Sequence, residues 1–338
     1  MPRSEITVDL RALRRNVEWL RSVLGETELW AVVKADGYGH GAADVARAVT
    51  DAGATALCVA TVAEGLTLRR VLPGRRILVL GPTDEVREAR EAELELVVGD
   101  GAIPEGVRVH VELDTGMGRY GFHRLPELPG NVVGLMTHLA TADTDPAFTE
   151  RQLERFRGAV AGSDPSLTLH AANSAAALRL PSSRLDAARC GIALYGLSPF
   201  GGDPAEDGLE PVLGWRSGLA QVKQLAAGES AGYGRTFVAE RETWIGLVPV
   251  GYADGFRRDL TGTEVLVGGE RRRVVGAVSM DSFAVELPGP AEPGTHVILV
   301  GDGLLAEEHA RHAGTITYEL VTGIRTGPDR AGRRVLDA

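Results

Sequence analysis

The chain has 338 residues, 44% of them hydrophobic and 24% charged, an ordinary globular composition that excludes a long disordered chain and suffices for two domains or one large barrel with an appendage. Thirty-six Lys and Arg against forty-six Asp and Glu give a net charge of −10, which repels phosphate backbones and argues against nucleic acid as a main partner. Two cysteines, Cys58 and Cys190, are too few for a disulfide framework, the N-terminal MPRSEITVDLRALRRN lacks a signal-peptide run, and no window nears 18 uninterrupted apolar residues; the expectation is a soluble cytoplasmic chain with no membrane partner.

In chain order, the first two thirds alternate short apolar or β-branched runs with polar, Ala-rich and Arg-rich stretches of helical period. The runs are Leu29–Lys34, Ala56–Ala60, Arg76–Leu80, Leu94–Val98, Val107–Leu113, Val132–Leu139, Leu167–Ala171 and Ala188–Leu194. Helical segments are expected at Ala42–Ala52, Val62–Val71, Asp84–Glu91 and Thr149–Ala161, with Pro146 placed where the last one would start. Parallel strands need crossovers and eight of them close a sheet, so the pattern predicts a (β/α)8 barrel, with a doubly wound open sheet as competitor. Gly and Pro then cluster in Ser198–Pro211, a linker or crossover loop. Beyond it, Trp215–Gln224, Thr243–Val250, Glu264–Val267, Arg272–Val278, Phe283–Leu287 and His296–Val300 are strand-like runs with almost no helical period. The expected architecture is a barrel over 1–210 and a smaller, mainly β domain over 211–338.

In a barrel the C-terminal ends of the strands face the active site, and five predicted strands carry a residue of chemical interest there. Lys34 ends the first, in AVVKADGYGHG. An isolated strand-end lysine ordinarily reaches solvent, but one that follows four apolar strand residues is partly desolvated, which lowers its pKa and favours amine chemistry. Arg119, in DTGMGRYG, combines three glycines with the bidentate partner of a carboxylate; a glycine loop with a surface Arg is the plainer alternative. His138 lies on an apolar strand, where a histidine is ordinarily a satisfied core residue. In LHAANSA, Asn173 or Ser174 can cap the next helix or hold a phosphate. Arg189, within an apolar strand, needs an anion or an acceptor. Three of the six tyrosines, Tyr233, Tyr252 and Tyr318, fall in GYGRTF, GYADGF and TITYE, each equally readable as a hydrogen-bonded core phenol. Each signal is weak alone; their convergence on one face carries the weight.

Taken in order from about Glu5 to about Arg325, the motifs AVVKADGYGHG, LDTGMGRYG, THLATAD, HAANSAA, RCGIALYGL, AGYGRTF, GYADGF, SMD and TYE resemble those of the alanine racemases, fold-type III pyridoxal-phosphate enzymes. The resemblance implies two-base racemisation of L-alanine and D-alanine for cell-wall supply, pyridoxal 5'-phosphate as cofactor, no metal, and a homodimer with shared sites. Lys34 would hold the cofactor covalently and serve as base on one face of the substrate Cα; Tyr233 of the other subunit would act on the opposite face. Arg189 would face the pyridine nitrogen, with His138 ordering that network. Tyr38, Ser174, Gly191, Ile192 and Tyr318 would hold the phosphate, Arg119 and the Met280 backbone would bind the substrate carboxylate, and Tyr252 would lie in the entrance. Racemisation takes a proton from one face and returns one to the other, hence two opposed bases. An Arg at the ring nitrogen leaves it largely unprotonated, a weaker electron sink that disfavours transamination. Tyr233 needs a positive neighbour to act near neutral pH, and Arg235 is a candidate.

The chain departs from the family pattern at Glu112, where many members carry a lysine whose carbamate pairs with the residue matching Arg119. The expectation is that Glu112 supplies the carboxylate itself, through a closer backbone or a bridging water. Three rival readings are a fold-type III decarboxylase, which would place an acidic residue where Arg189 stands; a racemase of serine or basic amino acids; and a non-catalytic pyridoxal-phosphate carrier, which would lack the second domain.

Overall fold

The computed structural model describes residues 3–337. Its first strand, β1 (Ser4–Asp9), alternates buried and partly exposed residues, and a 15-residue helix, Leu10–Leu24, follows. Eight parallel strands then close a barrel in chain order: β2 (Glu28–Val32), β3 (Ala56–Val59), β4 (Arg76–Val79), β5 (Glu95–Val98), β6 (Val109–Glu112), β7 (Val132–Met136), β8 (Thr168–His170) and β9 (Ala187–Cys190), with β9 pairing back onto β2. These strands are buried along nearly their whole length, as near-continuous apolar runs covered on both faces require. The closed barrel confirms the predicted fold, and each of the eight strands lies within or one residue beside its predicted run.

The predicted helices are present at Ala42–Asp51, Val62–Val71, Val86–Glu91 and Pro146–Val160. Their starts are chemically marked. Thr61 and Glu64 form a reciprocal capping box, and the Asp145 carboxylate accepts from the Phe148 N–H with Pro146 in the first turn. Between β5 and β6, and between β6 and β7, the chain crosses without a helix.

The second unit is a nine-stranded sheet plus a two-stranded ribbon. Its strands are β10 (Leu213–Gly218), β11 (Gln221–Leu225), β12 (Ser230–Ala231), β13 (Phe237–Val238), β14 (Thr243–Val248), β15 (Glu264–Val267), β16 (Glu270–Val275), β17 (Phe283–Leu287), β18 (His296–Val300) and β19 (Gly332–Leu336). The large sheet runs β11-β14-β17-β16-β15-β18-β10-β1-β19, while β12 and β13 form the ribbon. Three expectations need amendment. The run Trp215–Gln224 is two strands, one inside the sheet and one at its edge. Two seven-residue helices, Ala306–His312 and Thr317–Gly323, interrupt the β pattern. The N-terminal strand also lies outside the barrel unit, because β1 pairs antiparallel with β10 and parallel with β19. Among the described residues the barrel unit therefore comprises 12–200 and 204–210, and residues 3–11, 201–203 and 211–337 belong to the other. No helix among the described residues is long and apolar enough to cross a membrane.

Candidate active site

Lys34 follows the last residues of β2 and is half-buried. The backbone after it turns left-handed at four consecutive residues, Ala35, Asp36, Gly37 and Tyr38, with φ between 51° and 62°. Such a conformation costs about 1–2 kcal/mol at each non-glycine residue, so specific contacts must hold it. The Ala35 N–H donates to Glu64 Oε1 at 2.7 Å, and the Ala42 N–H donates to Asp36 Oδ1 at 2.8 Å. Burial, with the Arg119 and Arg189 charges nearby, holds the Lys34 ammonium below the usual lysine range despite the opposing Glu64 carboxylate. A strand-end amine disposed towards its neutral form matches the sequence expectation.

Arg189 lies inside β9 and is buried. Its Nη1 donates to His170 Nδ1 at 2.8 Å and to the His170 carbonyl at 3.1 Å. Nη2 donates to the Thr137 carbonyl at 2.9 Å, with the Ala171 carbonyl and His138 Nδ1 each at 3.4 Å. Among the described residues every acceptor in contact is neutral, and none accepts from the Nε–H. Burial together with Arg189, Arg119 and Lys34 pushes His138 down to about 3, so its ring is neutral and its Nδ1 can accept. His138 is thus the partly buried neighbour of Arg189 that the sequence led us to expect.

The ambiguity in LHAANSA resolves cleanly. Asn173 is the helix cap, accepting from the Ala176 N–H at 3.1 Å. That leaves the Ser174 hydroxyl for other work: it accepts from Gly191 N–H at 2.9 Å and Ala193 N–H at 3.4 Å, with its own proton left to donate. Gly191 has a steric reason to be glycine, since a Cβ there would sit 2.4 Å from the Tyr38 hydroxyl. Tyr38 stacks on Tyr195 at 4.9 Å between ring centroids, and Ile192 opens the short turn that follows Gly191. Tyr38, Ser174, Gly191 and Ile192 therefore gather around one small polar cradle.

Arg119 is exposed, on a loop that Asp114 folds by accepting from the N–H groups of Gly116, Met117 and Gly118. Its guanidinium lies 5.4 Å from the Tyr120 ring. The expected direct partnership with Glu112 is absent: no ion pair among the described residues joins them. Glu112 is buried at the end of β6, and burial pushes its carboxyl up despite the attraction of Arg189 and Arg119. The shorter side chain reaches the field of both arginines without touching either.

Among the described residues of the second unit, Tyr233 is the most exposed large hydrophobic one, at 72%. Gly232, Gly234 and Arg235 around it adopt positive φ, and Tyr233 bridges to Ala277. Arg235, proposed as its positive neighbour, instead donates to the Gly228 carbonyl at 3.2 Å. Tyr252 and Met280 are brought together, because the Tyr252 and Ala253 N–H groups donate to the carbonyls of Ser279 and Met280. Arg3 and Arg330 staple this region through the buried Asp254 and the exposed Asp281. Tyr318 lies half-buried on the helix Thr317–Gly323.

Sequence reasoning missed the residues beneath Arg189. His170 Nε2 lies 2.9 Å from His110 Nδ1, and His110 Nε2 lies 2.9 Å from Glu95 Oε2. Glu95 also meets Arg76 Nε at 2.8 Å and Arg108 Nε at 2.9 Å. Burial raises the Glu95 carboxyl, but His110 and Arg76 outweigh it and hold the group down to about 2. The available signal was a polar residue inside each of three apolar runs, in LELVV, VRVHVEL and LTLHA.

A closed parallel barrel with a desolvated amine at one strand end and a buried guanidinium inside the neighbouring strand defines a barrel enzyme of amine chemistry. Residues 8–199 match the family described as alanine racemase, N-terminal domain, and residues 212–331 match alanine racemase, C-terminal domain. An alanine racemase of Lactiplantibacillus plantarum is 39% identical over 356 aligned positions, covering 95% of each chain. The crystal structure of alanine racemase from D-cycloserine-producing Streptomyces lavendulae superposes with a TM-score of 0.92 at 37% identity, covering 100% of this chain and 98% of that one. An alanine racemase structure from Bartonella henselae with covalently bound pyridoxal phosphate is 26% identical, with a TM-score of 0.89, over 98% of this chain and 99% of that one. The chain belongs to the alanine racemase family.

Proposed function

We propose that this protein racemises alanine with pyridoxal 5'-phosphate, in a homodimer, and supplies D-alanine for the cell wall from the cytoplasm. The observation that carries the reading is the pairing of Lys34, an amine held below its usual range, with Arg189, a buried cation whose contacts are all neutral and whose Nε–H is uncommitted. The residues fit the cofactor: a glycine without room for a Cβ and a serine hydroxyl form a cradle for a phosphate, and the spare Arg189 N–H suits a ring nitrogen acceptor. When bound, pyridoxal phosphate supplies the electron sink that acidifies the substrate Cα proton.

In this reading Lys34 holds the cofactor and moves the Cα proton on one face, while Tyr233 of the partner subunit serves the other. The exposure of Tyr233 at a glycine-flanked turn supports a role outside its own fold. Arg189 has donors and no acceptor, so a ring nitrogen in contact with it would have to be unprotonated to accept its N–H; an acidic residue there would favour the decarboxylase alternative. Tyr38, Ser174, Gly191 and Ile192, with Tyr318, bind phosphate. Arg119 and the Met280 backbone take the substrate carboxylate, Tyr252 lines the entrance, and His138 orders Arg189. Cys58 and Cys190, both unpaired and pushed up to about 12 by burial, suit a reducing compartment.

The test is the circular dichroism of L-alanine after addition of cofactor-saturated protein. Decay to zero with total alanine conserved supports the reading, whereas a persistent signal overturns alanine as substrate and directs the assay to L-serine, L-lysine and L-arginine. Shared sites are tested by mixing Lys34→Ala and Tyr233→Phe chains in equal amounts. Random dimers should recover about a quarter of the sites; no recovery despite proven subunit exchange would make each chain self-sufficient.

A further inference from the structure

Three hydrogen bonds run from Arg189 to the opposite end of the barrel, and their chemistry permits only one direction. A guanidinium has donors and no acceptor. Arg189 Nη1, 2.8 Å from His170 Nδ1, must therefore donate, so His170 Nδ1 carries no proton. The remaining His170 nitrogen, Nε2, then holds the ring proton and donates across 2.9 Å to His110 Nδ1. His110 in turn carries its proton on Nε2 and donates it across 2.9 Å to Glu95 Oε2. Arg76 Nη2, 3.3 Å from the same His110 nitrogen, cannot hydrogen-bond to a protonated Nε2. The opposite assignment would strip both nitrogens of His170, which a neutral imidazole cannot allow.

We propose that Glu95, His110 and His170 are positioning residues for Arg189, forming a one-way hydrogen-bond line through the barrel that locks both imidazoles as neutral Nε2–H tautomers and fixes the guanidinium so that only its Nε–H remains free. The packing around the line is built for it. Trp30 walls both rings, with centroids 5.6 Å from His110 and 4.6 Å from His170, and carries the Arg76 guanidinium 4.4 Å above its own ring. Gly134 on β7 leaves the space that His110 fills: a Cβ there would lie 2.3 Å from His110 Nδ1. At the far end Glu95 accepts from Arg76 and Arg108 as well as His110, so the line ends on a carboxylate whose charge is matched and whose place is set. Neutral imidazoles between two fixed charges transmit orientation without moving a proton, and a cation held this way stays where the reaction needs it.

The functional half of the inference rests on the role proposed above for Arg189, whereas the tautomer assignment does not. Nitrogen-15 NMR of histidine-labelled holoenzyme, assigned with His110→Asn and His170→Asn, tests the line directly. Both residues should show a proton on Nε2, a bare Nδ1, and no titration between about pH 5.5 and 9, where an ordinary histidine changes charge. An Nδ1–H at either ring, or a titrating ring, overturns the proposal, and if neither variant folds the two rings are assigned in the wild-type holoenzyme from the nitrogen–nitrogen coupling across the His170–His110 hydrogen bond. Glu95→Gln keeps the shape and removes the charge that anchors the line. It should lower kcat for alanine about tenfold with KM within about twofold, the loss expected when an outer partner of a site residue is removed. A folded Glu95→Gln enzyme with unchanged kcat overturns the positioning role. A wild-type enzyme inactive on alanine would instead refute the function, leaving the NMR result to decide the line by itself.

Discussion

The two ends of the barrel treat buried charge in opposite ways. At the N-terminal end of the strands, Glu95 is gripped by Arg76 and Arg108 and accepts a hydrogen bond from His110, so a buried anion is fully matched. Towards the other end, and among the described residues, Arg189 is buried with no carboxylate in contact, Glu112 is buried with no cation in contact, and Lys34 is held below its usual range. Matched charge stabilises a fold; unmatched charge costs stability and persists where a ligand or a reaction uses it. The location of the mismatch, and not the number of charged residues, marks the site.

Four experiments bear on that contrast. Lys34→Ala removes the amine on which the site end depends and should lower racemisation by at least about a thousandfold, equivalent to about 4 kcal/mol of transition-state stabilisation; a loss under about tenfold, followed by circular dichroism of L-alanine, would move the base elsewhere. The matched end should govern acid stability. The folded Glu95 carboxyl lies at about 2 against an ordinary value of 4.5, so its contribution is complete above the ordinary value and lost as the pH falls towards the folded one. The whole effect is worth about 3 kcal/mol, and Glu95→Gln should flatten the fall of Tm across that window. An equally steep fall in the variant would place the acid sensitivity in another group.

Gly134→Ala intrudes on His110 and should cost about 2 kcal/mol, in the range of overpacked cores; urea unfolding at neutral pH checks this, and an unaffected midpoint would mean the ring has room to retreat. Glu112→Gln has the smallest expected effect and the opposite sign. Burial raises this carboxyl, so its contribution to stability is present below the unfolded pKa and declines as the pH rises towards the folded one. The variant should be more stable than the wild type at pH 7 while KM for alanine rises about threefold. A stable variant with unchanged KM would show that Glu112 has no part in carboxylate binding.

Much of the site was legible because it obeys strand periodicity. Lys34, Arg119, His138 and Ser174 each follow or close an apolar run and Arg189 sits inside one, and a closed barrel turns that sequence position into a spatial one. The Glu95–His110–His170 line was not legible. A polar residue inside an apolar strand signals only that it needs a partner, and the partners lie 15 and 60 residues apart in the chain. Asn173 and Ser174 were interchangeable on paper because both have oxygens suited to a cap; only the backbone bend at Asn173 decided which one bonded its own helix.

By itself the sequence determined the elements: eight apolar runs, their helical crossovers and the order of the motif residues follow from local periodicity and turn chemistry. Tertiary structure decided the partners. β1 alternates as any half-buried strand does, and its place between β10 and β19 depends on sheet edges built more than 200 residues away. Likewise Arg235 turned to Gly228 instead of Tyr233, and Glu112 stopped short of Arg119. Hydrogen bonds and ion pairs act over a few ångströms, and which groups come within that range is settled by the packing of the whole chain.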